Sequence, residues 1–148
     1  MEAGLSIHYL RNAEINKKLW DECIDKSENG LIYGYSFYLD AMCTNWDALV
    51  LNNYEAVMPL PWRKKYGFFY LYYPFLTAQL GLFGRKVTSE LLENFLNNIP
   101  AKFRYWDFPL NYKNVFTLSN FELIQRSNYV LDLSKGYEFI CKNYRQNL

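Results

Sequence analysis

Two adjacent asparagines, Asn52 and Asn53, separate two apolar runs, WDALVL (46–51) and YEAVMPLPWRKK (54–65). Asparagine tolerates the left-handed backbone of a tight turn, so this spacing predicts a β-hairpin. A second turn follows at once. Tyr66-Gly67 ends the second run, and FFYLYY (68–73) reads as the next strand. Pro59 and Pro61 lack the N–H that a ladder uses, which places a bulge or an edge at that point. Whatever else the chain does, it must build a sheet around these residues.

The flanking segments supply helices. SIHYLR (6–11) is a short strand candidate. AEINKKLWDECIDK (13–26) puts Ile15, Leu19, Trp20, Cys23 and Ile24 on one helical stripe, with Asn12 as cap. SENG breaks the pattern, and SFYLDAMC (36–43) predicts a second short helix capped by Ser36. FLTAQLGLFG (75–84) reads as a loop. TSELLENFLNNI (88–99) is the clearest helix: Thr88 caps it, Leu91, Leu92, Phe95, Leu96 and Ile99 share a face, and Pro100 follows. FRYWDFP (103–109), ELIQR (122–126) and NYVLDLS (128–134) read as strands, and a helix is expected over 135–148. The order predicts a single mixed α/β (α+β) domain over 1–148, with a central, mostly antiparallel sheet flanked by helices.

At 148 residues the chain can bury one proper core. Its net charge of +1 gives no field for nonspecific nucleic-acid binding. Cys23, Cys43 and Cys141 are odd in number and lack metal-ligand spacing, so no metal site is expected. His8 is the only histidine, and a solvated or hydrogen-bonded role suits a terminal strand. Free thiols without a visible signal peptide point to the cytoplasm. FFYLYYPFL is too short to cross a bilayer, so no membrane span is expected. The last helix carries no stop signal, which suggests that it leads into a further half.

Two stretches carry a family resemblance. NGLIYGYSFYLDAMCTNWDALVL is similar to the region of Fem-type peptidyltransferases in which a turn and a short helix lead to a Trp and a strand. YVLDLSKGYEFICKNYRQNL resembles the end of their first subdomain, with Asn143, Arg145, Asn147 and Leu148 matching an N-x-R-x-N-[IL] ending. The order of elements between them is that of the GNAT acyltransferase fold. Fem-type enzymes fuse two GNAT-like subdomains and use aminoacyl-tRNA to lengthen peptidoglycan bridge peptides. The resemblance therefore implies an N-terminal subdomain of a Fem-like N-acyltransferase, inactive alone. Its implied partners are a second GNAT-like half or a further copy, a small-molecule or peptide acceptor, and tRNA. GNAT enzymes that use acetyl-CoA carry a [QR]-x-x-G-x-[GA] loop. QLGLFG (79–84) has Q-x-G-x-x-G instead and reads as a plain glycine turn, so no cofactor is expected. Fem-type enzymes that take a nucleotide-linked muropeptide place a phosphate-binding Lys on the short helix, and no basic residue stands around Asp40, Ala41 and Met42.

The candidate site is YLYYPFLTAQLG (70–81). A Tyr-rich strand meets a Pro-broken loop there, and Tyr72, Tyr73, Thr77 and Gln79 offer apolar area with polar tips. The plain alternative is a core strand with outward hydroxyls. WRKKYG (62–67) places Arg63 and Lys64 near the rim, where they suit a phosphate or an RNA backbone; the plain alternative is a solvated turn. Asp107 is read as a turn acceptor rather than a base. The contrasting function is a non-catalytic binding or oligomerisation module with an aromatic surface.

Overall fold

The computed structural model describes residues 6–142. Among these residues six strands form one sheet: β1 (Ile7–Leu10), β2 (Trp46–Leu51), β3 (Ala56–Lys65), β4 (Phe68–Leu71), β5 (Phe83–Gly84) and β6 (Phe103–Trp106). The order is β1-β2-β3-β4-β6, with β5 beside β3. Every pair is antiparallel except β4–β6, which is parallel. Among the described residues there are four α-helices: α1 (Lys17–Lys26), α2 (Ser36–Met42), α3 (Ser89–Asn97) and α4 (Tyr137–Lys142). The mixed architecture and mostly antiparallel sheet agree with the sequence reading.

β2 is buried along its whole length because both of its faces are covered. Trp46, Ala48 and Val50 pack with Trp20, Ile24 and Leu39 of α1 and α2. Leu49 and Leu51 pack with Met58, Leu60, Leu92 and Phe95, which places α3 on the opposite face. A fully buried Leu or Phe contributes about 1.5–3 kcal/mol of transfer free energy, so the two layers dominate stability.

The first hairpin pairs Leu51 with Ala56 and Trp46 with Pro61. Its connection is longer than the two asparagines suggest. The left-handed positions are Asn52 (φ 47°) and Tyr54 (φ 61°), not Asn52 and Asn53. The second turn is tight: Tyr66 (φ 51°) and Gly67 (φ 86°) are both left-handed, as a two-residue hairpin of the primed type requires. The prolines sit where β3 changes partner. On the side away from β2, β5 pairs with Ala56–Val57 and β4 with Trp62–Lys65. Trp62 N–H donates to Asn45 C=O, so by alternation Pro59 and Pro61 turn their nitrogens toward that far side. The edge expected there is local, within a strand that is otherwise central.

Several boundaries differ from the sequence reading. The first helix does not run from 13 to 26. A 3₁₀ turn at Asn12–Glu14 ends in extended Ile15, and Asn16, not Asn12, caps α1 by accepting from Leu19 N–H. Tyr35, not Ser36, precedes α2; Ser36 donates its N–H and hydroxyl to Asp21 on α1 (2.7 and 2.8 Å). Thr88 caps α3 as expected, accepting from Leu91 N–H. The loop expected over 75–84 contains β5. Neither 122–126 nor 128–134 forms a strand. Both stretches are irregular, apart from a 3₁₀ turn over Leu133–Lys135, with Ile124, Tyr129, Val130, Leu131 and Leu133 exposed. Strand propensity needs a ladder partner and a covered face, and the described residues supply neither. Gly136 (φ 73°) leads into α4, and the rest of the helix expected to 148 lies outside the described residues, as does the matched ending from Asn143 to Leu148.

Candidate functional site

β4 and β6 run parallel, so the chain leaves both at the same end. The ladder reaches Leu71–Trp106, and Asp107 N–H then donates to Leu71 C=O (3.1 Å). The segments after Leu71 and after Trp106 therefore start side by side. In open sheets such carboxyl ends are where ligands gather. The stretch 70–81 emerges here, so the candidate residues share one region of the molecule.

Most of their polar atoms are already engaged. Tyr72 is buried; its hydroxyl accepts from Thr44 N–H (3.1 Å), and its N–H donates to Pro61 C=O (3.1 Å). Thr77 is 1% exposed, and its hydroxyl donates to Phe75 C=O (3.2 Å). Tyr73 is exposed, but its hydroxyl donates to Ala78 C=O and closes the loop (3.2 Å). Gln79 is half-buried and accepts from Tyr112 N–H (2.8 Å). The sequence reading places Thr77 and Gln79 in a Pro-broken loop as candidate ligand contacts. The loop instead folds on itself: Thr77 N–H donates to Pro74 C=O and Leu76 is left-handed (φ 57°). Phe75 and Leu76 occupy its exposed tip, tied to α2 by the Tyr38 hydroxyl, which donates to Leu76 C=O (2.7 Å).

Arg63 lies closer to the region than its place in the hairpin suggested. Its guanidinium stacks 4.1 Å from the Tyr72 ring centroid. Lys64 alternates to the other face, over Phe69 at 5.1 Å. The structure thus brings together Arg63, Tyr72, Tyr73, Thr77 and Gln79, and leaves Lys64 apart. No protein acceptor takes the Arg63 N–H groups among the described residues, so Arg63 is the polar group here that is open to a ligand. Phe37 is also exposed, on α2.

The Cys43 thiol is held in its neutral form at this surface. Burial pushes the nearby Cys43 thiol up to about 12; Asp40 adds to that shift, and the Arg63 charge opposes it without overcoming it. Asp107 is exposed and pairs loosely with Arg126 (3.8 Å). The His8 ring, on β1 at the edge of the sheet, bonds with the Ser6 hydroxyl (2.9 Å). Among the described residues, no group of three His, Cys, Asp or Glu side chains could hold a metal ion.

The glycine turn 79–84 is filled by the protein itself. Leu82 N–H donates to Asn114 Oδ1 (2.8 Å) and Gly84 N–H to Asn29 Oδ1 (3.3 Å). Asn111 donates to the carbonyls of Leu80 and Leu82 and accepts from Asn29 (3.1 Å). All three asparagines are essentially fully buried. Amides that a pyrophosphate would need are therefore bonded to side chains from two distant loops.

Two open hollows lie elsewhere. One of about 300 Å³ separates α3 from 117–120 and is lined by Glu90, Glu93, Asn94, Thr117 and Asn120. Another of about 390 Å³ lies beside Ser6, Ile7, Asn94 and Asn98. Neither contains a candidate residue. Sequence reasoning also missed Tyr9, Asp47 and Lys102, which meet on the α3 face. Tyr9 donates to Asp47, and Lys102 donates to the Tyr9 hydroxyl (2.6 Å). Burial, then the Asp47 hydrogen bond and charge, hold the Tyr9 hydroxyl far above its ordinary value. The only local signal was a charged residue, Asp47, inside an apolar strand. Set against models of known families, curated proteins and solved structures, the chain matches none of them.

Proposed function

We propose that the chain is a GNAT-like subdomain of a Fem-like N-acyltransferase, forming one wall of an acceptor cleft. The observation that carries this reading is the parallel β4–β6 pair with an aromatic and cationic surface at its carboxyl ends. The first part of the element order on which the resemblance rests supports it, strand, two helices, antiparallel strands, helix, strand, although the strands expected at 122–126 and 128–134 do not form. Acyl or aminoacyl transfer to an amine needs positioning, a deprotonated amine and a stabilised oxyanion. This surface offers positioning. Exposed Tyr73, Phe75 and Leu76 present apolar area to a peptide acceptor, and Arg63 offers its fork to a carboxylate or a phosphate, including that of tRNA. The acyl donor and the groups that move protons belong to a second half or a partner.

Nuclear magnetic resonance titration tests this reading. Amine-bearing peptides are expected to shift Arg63, Tyr73 and Phe75, and acetyl-CoA is expected to shift nothing. Stoichiometric, micromolar binding of acetyl-CoA, or peptide shifts confined to other surfaces, would overturn it. The exposed Phe37, Phe75 and Leu76 favour a second reading, a non-catalytic binding or oligomerisation module. A dimer that buries these three side chains and excludes the peptides would select it.

A further inference from the structure

The ammonium of Lys102 sits among four aromatic rings. Its Nζ lies 4.8 Å from the Tyr9 centroid, 5.8 Å from Trp62, 5.6 Å from Phe69 and 4.8 Å from Phe103. The rings come from β1, β3, β4 and β6, on the sheet face that α3 covers. Asp47 stands beneath them with only 7% of its side chain exposed. Tyr9 donates to one carboxylate oxygen and Asn12 N–H to the other (3.1 Å), so the charge is fixed in place. Ring faces carry negative potential, and a desolvated cation over several of them gains more than at an open surface. A fixed carboxylate below an aromatic ring set is the chemistry that recognises an alkylammonium group.

Lys102 fills this cage without closing it. Its ammonium approaches Asp47 at 3.7 Å and makes its direct hydrogen bond to the Tyr9 hydroxyl instead. Its side chain is 38% exposed, so the cage is open to solvent. One wall also holds an unused valence: Trp62 Nε1 is the buried side-chain polar atom that has no partner among the described residues. A permanent structural ion pair would be expected to bond the carboxylate directly and to satisfy its surroundings.

We propose that the Tyr9–Trp62–Phe69–Phe103 cage over Asp47 is a binding site for a primary alkylammonium ligand, and that Lys102 occupies it as an internal competitor. This proposal does not depend on the acyl-transfer reading. The cage recognises ammonium whatever reaction follows. An intramolecular occupant acts at high effective concentration and weakens the apparent affinity for a free ligand. Withdrawal of Lys102 therefore regulates access.

The test is titration with n-butylammonium chloride at constant ionic strength, read from the Trp62 indole resonance, with n-butanol as the uncharged control. The wild-type chain is expected to bind weakly. Lys102→Ala is expected to bind at least about tenfold more tightly, with no response to butanol. Lys102→Leu, which keeps the cage filled with an uncharged side chain, is expected to bind as weakly as the wild type or more so. Adding Asp47→Asn to Lys102→Ala is expected to abolish the gain; its spectrum shows whether it is folded, and the Lys102→Leu comparison stands without it. Affinity in Lys102→Ala no higher than in the wild type, or an equal response to butanol, overturns the site. Tight binding by Lys102→Ala with none by the wild type at any concentration overturns the competition and makes Lys102 a permanent plug.

Discussion

A thiol attacks only as thiolate, and two of the three cysteines are held away from that form. Burial raises both Cys23 and Cys43, the latter to about 12. Cys141 is partly exposed on α4. At pH 8, iodoacetamide is expected to modify Cys141 in the native chain and to reach Cys23 and Cys43 only after unfolding. Mass spectrometry of the alkylated protein counts the modified sites; native labelling of Cys43 at the rate of a free thiol would contradict its burial. The same shift couples to stability. An acid whose folded value is raised contributes fully below its unfolded value and loses that contribution as pH rises toward the folded one. For Cys43 the loss runs from about 9 to about 12. The Tyr9 hydroxyl acts in the same sense at still higher pH.

Gly81 and Gly67 separate two costs that a glycine substitution combines. Both are left-handed, at φ 84° and 86°. A Cβ at Gly67 would meet nothing within 4 Å, whereas one at Gly81 would stand 2.3 Å from Asn114 Oδ1. Gly67→Ala is expected to cost only the backbone term, about 1 kcal/mol. Gly81→Ala also displaces a buried hydrogen-bond acceptor and is expected to cost about 2–4 kcal/mol. Urea denaturation of the two variants compares them, and equal losses would mean that the Asn114 contact yields freely. The contrast also shows what the sequence could reveal. Tyr66-Gly67 was legible because a turn signal is local, as were the Thr88 cap and the apolar face of α3. The role of Gly81 was not legible, since its partner lies more than thirty positions away. The Lys102 cage was hidden for the same reason, its rings coming from four separate strands. The stretches 122–126 and 128–134 failed in the opposite direction: their local pattern is that of a strand, but a strand exists only with a partner. In the stretch 70–81 the end of the strand was legible from Pro74. The internal bonds of Thr77 and Gln79 were not, because loop closure is a tertiary outcome.

Exposed apolar side chains occur at several places among the described residues, and two of them matter most here. Phe37, Phe75 and Leu76 mark one, and Tyr129, Val130, Leu131, Leu133 and Tyr137 the other. Surfaces of this kind serve as interaction sites. The chain is expected to self-associate with rising concentration, and sedimentation equilibrium measures it; a monomer at all concentrations that binds no hydrophobic dye would argue against such contacts. The buried asparagines add a constraint in time. Asn29 and Asn111 lie 82 positions apart, while the two hairpins close over a few residues. Short loops close early and long ones late, and a chain leaving the ribosome offers residue 29 well before residue 111. Until then the Leu80 carbonyl that Asn111 binds has only water or transient partners, and the Leu82 carbonyl has only Asn29 (2.8 Å). The last buried bonds of this domain are thus made by a loop that arrives after the sheet it secures, so the meander must persist, briefly, without its latch.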